Sequence, residues 1–133
     1  MTAVFPDNVA APSVPLSPGM RAGELLFVSG QVASDSAGTV YRGEFDDEVR
    51  MTLDNVERVL AAGGATFDDV VKVGAWLCDA ALFGRFNELY AARLGAHRPA
   101  RTTVVVGFGH PDVRVEIDAV AYLGQRSNQE DRS

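Results

Sequence analysis

From Val113 to Leu123 the chain alternates without a break. Val113, Val115, Ile117, Ala119, Ala121 and Leu123 share one parity, and Arg114, Glu116, Asp118, Val120 and Tyr122 share the other. Successive side chains of a β-strand point to opposite faces, so this segment reads as a strand with one wholly apolar face and one mixed face. The apolar face requires a second layer packed against it. The mixed face is too apolar for open water and too polar for a core, the composition of a surface that meets another subunit.

The rest of the chain supplies the partners. Leu25 to Gln31 is a short apolar run with Gly30 near its end and reads as a buried strand; the turn signal at Arg21 to Glu24 makes it half of a hairpin with roughly Pro15–Met20. Phe45, Val49, Leu53, Val56 and Leu60 recur at steps of three and four and predict a helix over Glu44–Ala62. Acidic residues crowd its first turn, where the helix dipole favours anions, and Gly63-Gly64 ends it. Asp69–Cys78 reads as a strand, with Val71, Val73, Ala75 and Leu77 on one face and Lys72 and Trp76 on the other. Phe83, Phe86, Tyr90 and Leu94 mark a second helix, and Arg101–Val106 a further strand. The order strand, strand, helix, strand, helix, strand, strand predicts an α+β fold: a mixed sheet with two helices on one face. Its open face would carry Lys72, Trp76, Arg114, Glu116, Val120 and Tyr122. The expected organisation is an arm over residues 1–12, ordered only if something holds it, one domain over 13–124 and a flexible polar tail over 125–133.

Charge and composition exclude several functions. The 133 residues carry a net charge of −6, and Lys72 is the only lysine. Sequence-independent binding to nucleic acid runs on displacing counterions with basic residues, so no nucleic-acid partner is expected. No apolar run approaches the ~20 residues of a membrane span, and the first twenty residues lack the basic start of a secretory signal. Cys78 is the only cysteine and cannot form an intrachain disulfide, so a cytoplasmic location is expected.

No phosphate-binding glycine loop, paired Cys-x-x-Cys or zinc-protease helix motif occurs. His97 and His110 lie in separate loops without further ligands at metal spacing, so no metal site is expected. Cys78 reads as a buried, inert thiol. What remains is Arg101 at the mouth of a strand and Glu116 in the middle of the last one. A guanidinium offers a planar fork that holds a carboxylate by two parallel hydrogen bonds. A glutamate beside such a clamp could hold a water. On spacing alone, an Arg101–Glu116 ion pair at a subunit interface is the favoured account of the two residues.

Six segments in order resemble the RidA family, also called YjgF/YER057c/UK114, over roughly Pro15 to Leu123. They are Leu25–Gln31; Thr52–Val56 with Leu60–Gly63; Asp69–Val73; Phe86–Tyr90; Pro99–Val104; and Glu116–Ala121. The resemblance implies a chorismate-mutase-like fold assembled as a homotrimer, with the three sheets forming a central barrel and sites at the subunit interfaces. It implies hydrolysis of reactive 2-imino acids and their enamine tautomers to 2-oxo acids and ammonia, with no cofactor. Arg101 would bind the carboxylate and Glu116 would position the water. Ser29, Gly30, Asn87 and Thr103 would line the pocket. Leu16 stands where deaminating relatives usually carry a tyrosine, and Thr103 where some carry cysteine. The alternative implied by that departure is a trimer of the same fold that binds a small carboxylate or a partner protein and turns over nothing.

Overall fold

The structure, a computed structural model, describes residues 1–124; the tail expected at 125–133 lies outside them. Six strands and two α-helices follow in the order β1 (Thr2–Val4), β2 (Gly19–Ala22), β3 (Leu25–Gln31), α1 (Phe45–Ala62), β4 (Val70–Leu77), α2 (Phe83–Leu94), β5 (Ala100–Val105) and β6 (Val115–Tyr122). The strands form one mixed sheet in the order β1-β2-β3-β6-β4-β5. The last strand in sequence is inserted between β3 and β4 and runs antiparallel to both. Strand β5 returns through α2 to lie parallel to β4, as a helical crossover allows, and forms a free edge.

The burial alternation of β6 is realised, but Arg114, expected on the open face, turns its side chain to Glu48 of α1 instead. Val113, Val115, Ile117, Ala119, Ala121 and Leu123 are all buried, and the intervening residues are half-exposed. The buried face packs on Val49, Leu53, Val56 and Leu60 of α1 and on Phe86, Leu89, Tyr90 and Leu94 of α2, so both helices cover one side of the sheet. Helix α1 starts with Asp46, Asp47 and Glu48 in its first turn and stops at Gly63, followed by Gly64 at φ 83°. The opposite side has no covering layer among the described residues. Phe27 and Val104 there are 43% and 40% exposed, beside half-buried Trp76, Val120 and Tyr122.

Three local expectations change, and the condition set for the N-terminal arm is met. The hairpin partner of β3 starts at Gly19 rather than Pro15, because Pro15 and Pro18 keep the preceding residues out of the ladder. The pairing register shifts between Val70 and Lys72, so Val70 takes the inward place and Val71 is 47% exposed rather than sharing a face with Val73. The N-terminal segment is held: Thr2–Val4 adds an edge strand against Arg21–Gly19. Cys78 is exposed, not buried, because it follows the last buried residue of β4, and its backbone N–H donates to the Arg114 carbonyl at the sheet's end.

One buried charge fastens the start of β6 to α1. Glu48 is 1% exposed and accepts from the Arg114 backbone N–H at 2.7 Å and from Arg114 Nε at 2.6 Å. Arg114 Nη2 donates to the Gly43 carbonyl at 2.5 Å, and the guanidinium lies 5.7 Å from the centre of the Phe45 ring. Removing one partner of such a pair leaves the other buried and unsatisfied. Because Arg114 keeps some contact with water, Glu48→Ala is expected to cost about 2–4 kcal/mol, read as a lowered midpoint in urea unfolding at unchanged slope.

Candidate active site

Arg101 is the second residue of β5 and pairs in register with Val73 of the buried face. Its side chain therefore runs along the helix-covered side of the sheet, toward α2. Nη2 donates to Asn87 Oδ1 at 2.7 Å. The guanidinium lies 4.8 Å from the centre of the Tyr90 ring and 5.4 Å from that of Phe86. Rings at this distance attract a cation through their negative faces. Among the described residues, no carboxylate forms an ion pair with it. Phe86 is fully buried and Tyr90 is 5% exposed, so the platform under the guanidinium is rigid core. Thr103, two residues along the strand, lies on the same face; its hydroxyl and that of Tyr90 are buried without a hydrogen-bond partner. Burial holds the Tyr90 phenol above its ordinary value against the lowering pull of Arg101 and Arg98.

Glu116 pairs in register with Trp76, which places it on the open face. A Cβ built on Gly30 would sit 2.9 Å from Cδ of Glu116 and 3.2 Å from Oε2, so the carboxylate rests directly against the glycine. The close approach is made where the β3–β6 pairing shifts register, between Val28 and Gln31. Burial, and then the neighbouring charge of Asp118, raise the Glu116 carboxyl above the ordinary glutamate range. Asp118 itself accepts from the Gly74 N–H at 2.8 Å. Beside Gly30, the Ser29 hydroxyl donates to the Ser17 carbonyl at 2.6 Å, and the Ser29 N–H donates to the Pro18 carbonyl at 2.8 Å. Ser29 thus ties down the segment carrying Leu16, which is 49% exposed.

The structure therefore sorts the candidate residues into two groups. Arg101, Asn87 and Thr103 gather at the β5 edge on the helix side. Glu116, Gly30, Ser29 and Leu16 gather around β3 and β6, with Glu116 on the open side. Arg101 and Glu116 are not side by side in one chain, because strand parity sends them to opposite faces and β4 lies between their strands. No ion pair joins them among the described residues, which removes the intrachain form of that alternative. Sequence reasoning missed the Phe86–Tyr90 platform. Both residues were legible as a core stripe, but the crossover that lays that stripe under β5 was not. The histidines are engaged elsewhere: His97 Nε2 meets the Val70 carbonyl at 2.7 Å, and His110 lies near Asp112. Among the described residues no cluster of three or more metal-ligating side chains occurs.

Comparison with known proteins agrees in sequence and fold. The family profile described as Endoribonuclease L-PSP matches residues 7–123. A RutC family protein of Pyrococcus horikoshii is 38% identical over 120 residues, which is 90% of this chain and 95% of that protein. RidA from an Antarctic Psychrobacter superposes with a TM-score of 0.84 at 27% identity, covering 92% of this chain and 99% of that one. Escherichia coli TdcF, crystallised with bound serine, superposes with a TM-score of 0.82 at 26% identity, covering 92% and 98%.

The environment of Glu116 makes a direct prediction. Asp118→Asn removes the neighbouring charge, keeps an acceptor for the Gly74 N–H and should move the Glu116 titration toward lower pH, as read by side-chain carboxyl NMR. Gly30→Ala should displace the Glu116 carboxylate while leaving the fold intact, since Gly30 does not occupy the left-handed region.

Proposed function

We propose, from the premise that the chain belongs to the RidA/YjgF family of the endoribonuclease L-PSP profile, that it hydrolyses 2-imino acids and their enamine tautomers. The reaction adds water across the C=N bond and expels ammonia, leaving a 2-oxo acid. The observation that carries the reading is the Arg101 guanidinium, held over the rings of Phe86 and Tyr90 and, among the described residues, without a carboxylate to pair with. Such a fork is matched by the carboxylate of an imino acid. The serine bound to TdcF carries the same α-carboxylate.

Glu116 supplies the second half. Burial and Asp118 raise its carboxyl, which brings a carboxylate closer to the working pH of a general base. In this account it orients the attacking water and takes its proton, then returns a proton to the departing nitrogen. Asn87 orients the Arg101 fork, Thr103 and Gly30 line the pocket, Ser29 fixes the backbone beside Gly30, and Leu16 provides an apolar wall. Most of the acceleration would come from placement and charge complementarity.

The two groups of residues come together only if two copies contribute to one site. The unpartnered face with Phe27, Trp76, Val104, Val120 and Tyr122 supplies a surface for that association. We infer a homotrimer in which the sheets form a shared barrel and each site lies between neighbours. Light scattering is expected to return three times the subunit mass at micromolar concentration, and Tyr122→Asp is expected to lower it.

The test of the activity is an assay in which an amino acid oxidase generates imines and semicarbazide traps those that survive. The protein should lower the trapped fraction. Arg101→Ala should reduce kcat/KM by roughly 30- to 1,000-fold, the range for loss of a charge-assisted contact in a partly dry cleft, and Arg101→Lys should recover little of it. Glu116→Gln should lower kcat more than it weakens 2-oxo acid binding. Wild-type kcat/KM should rise with pH along a limb above the ordinary glutamate range, since the base acts when ionised, and Glu116→Gln should lose that limb. A folded Arg101→Ala protein that binds 2-oxobutanoate with wild-type affinity would remove Arg101 from the site.

A further inference from the structure

Beside Gly30 a cleft of ≈ 500 Å³ runs between the N-terminal segment and the loop that follows β3. One wall is apolar: Phe5, Val9, Ala10, Pro12 and Leu16. Gly30 itself lines the cleft. The Glu116 carboxylate rests against that same glycine, so the cleft and the group proposed to act on the imine carbon share Gly30 as a neighbour. Both walls are held in place. Strand β1 fixes the residues before Phe5, the Ala10 N–H donates to the Ser36 carbonyl at 2.8 Å, and Ser29 anchors the Leu16 end through the Ser17 carbonyl. Across from them, the Asp35 carboxylate accepts from the N–H groups of both Ala37 and Thr39 at 2.9 Å and stiffens the opposite turn.

We propose that this cleft receives the side chain of the imino acid, and that the chain is therefore selective for 2-imino acids with branched or aromatic apolar side chains over the alanine-derived imine. The inference rests on the hydrolase reading for its substrate class but on the cleft alone for its selectivity. The chemistry of the walls sets the orientation. Asp35, an anion within the cleft, repels the substrate carboxylate and leaves it to Arg101, while the apolar wall from Phe5 to Leu16 takes the hydrocarbon. A volume of this size exceeds what a methyl group fills, and each further carbon placed against apolar walls adds to the transition-state affinity. The Leu16 position fits the same purpose, since a tyrosine there would narrow the cleft and place a hydroxyl in its wall.

The experiment compares leucine- and alanine-derived imines in the oxidase–semicarbazide assay. In parallel, it measures binding of 4-methyl-2-oxopentanoate and pyruvate by calorimetry. Wild type is expected to favour the leucine-derived substrate and the larger acid by at least about tenfold. Val9→Asp places a charge in one wall and Ala37→Trp fills the cleft from the other; both positions are at the surface, and melting curves verify that each variant folds. Each should reduce the leucine-over-alanine ratio at least fivefold. Turnover of both imines without preference, or a preference that survives both variants, overturns the cleft assignment while leaving the hydrolase reading in place. The converse is a protein that hydrolyses neither imine yet binds the larger acid more tightly, with the ratio lost in the variants. That result upholds the cleft and rejects the hydrolase. Binding of neither acid together with turnover of neither imine overturns both.

Discussion

A β-strand sends neighbouring side chains to opposite faces, and that constraint decides what this sheet can do. Glu116 belongs to the parity of β6 that faces away from the helices. Arg101 belongs to the parity of β5 that faces them. With β4 between the two strands, their backbones are separated by roughly 10 Å, twice the usual strand spacing. Neither charge is paired within the chain among the described residues. A cation fixed at a free edge and an anion held over a glycine on the other face are two unfinished halves.

The rest of the architecture serves to hold those halves rigid. The parallel crossover through α2 puts Phe86, Asn87 and Tyr90 beside Arg101, so two core rings and a hydrogen bond hold the guanidinium. The register shift at Ser29–Gly30 brings the β3 backbone against the Glu116 carboxylate, and the Ser29 hydroxyl ties in the segment bearing Leu16. The Glu48–Arg114 pair secures the entry to β6 two residues before Glu116. Glu116 thus stands on a regular strand beside a local irregularity, and Arg101 on a regular strand at the sheet's free edge, which combines precision with access.

Much of this was legible in the sequence because it follows from periodicity. The parity of β6 and the stripes of both helices are properties of spacing, and burial follows them except at Phe45 and Phe83, which are half-buried at the helix starts. Val71 was misplaced because a bulge changes parity without changing composition. Cys78 was misplaced because burial at a strand's end depends on what packs there. The role of Glu48 as a buried acceptor was hidden among three acids at a helix start, two of which remain in contact with water. The candidate residues Arg101 and Glu116 could be named from their chemistry and from the family resemblance, but their separation by strand order could not. That order places the last strand in the middle of the sheet, a long-range pairing that no local pattern specifies. The same long-range topology brings the Phe86–Tyr90 platform under β5, so no local pattern marks it.

The central claim is that one site takes Arg101 from one copy and Glu116 from another. Mixing Arg101→Ala with Glu116→Gln tests it most directly. The two variants are denatured together and refolded, or co-expressed and purified as a mixed assembly, and imine hydrolysis is compared with that of each variant alone. In a mixed cyclic assembly some interfaces pair an intact Arg101 with an intact Glu116, so roughly a quarter of wild-type activity should return at equal proportions. Assemblies shown to contain both variants, yet no more active than the parents, would contradict the shared site.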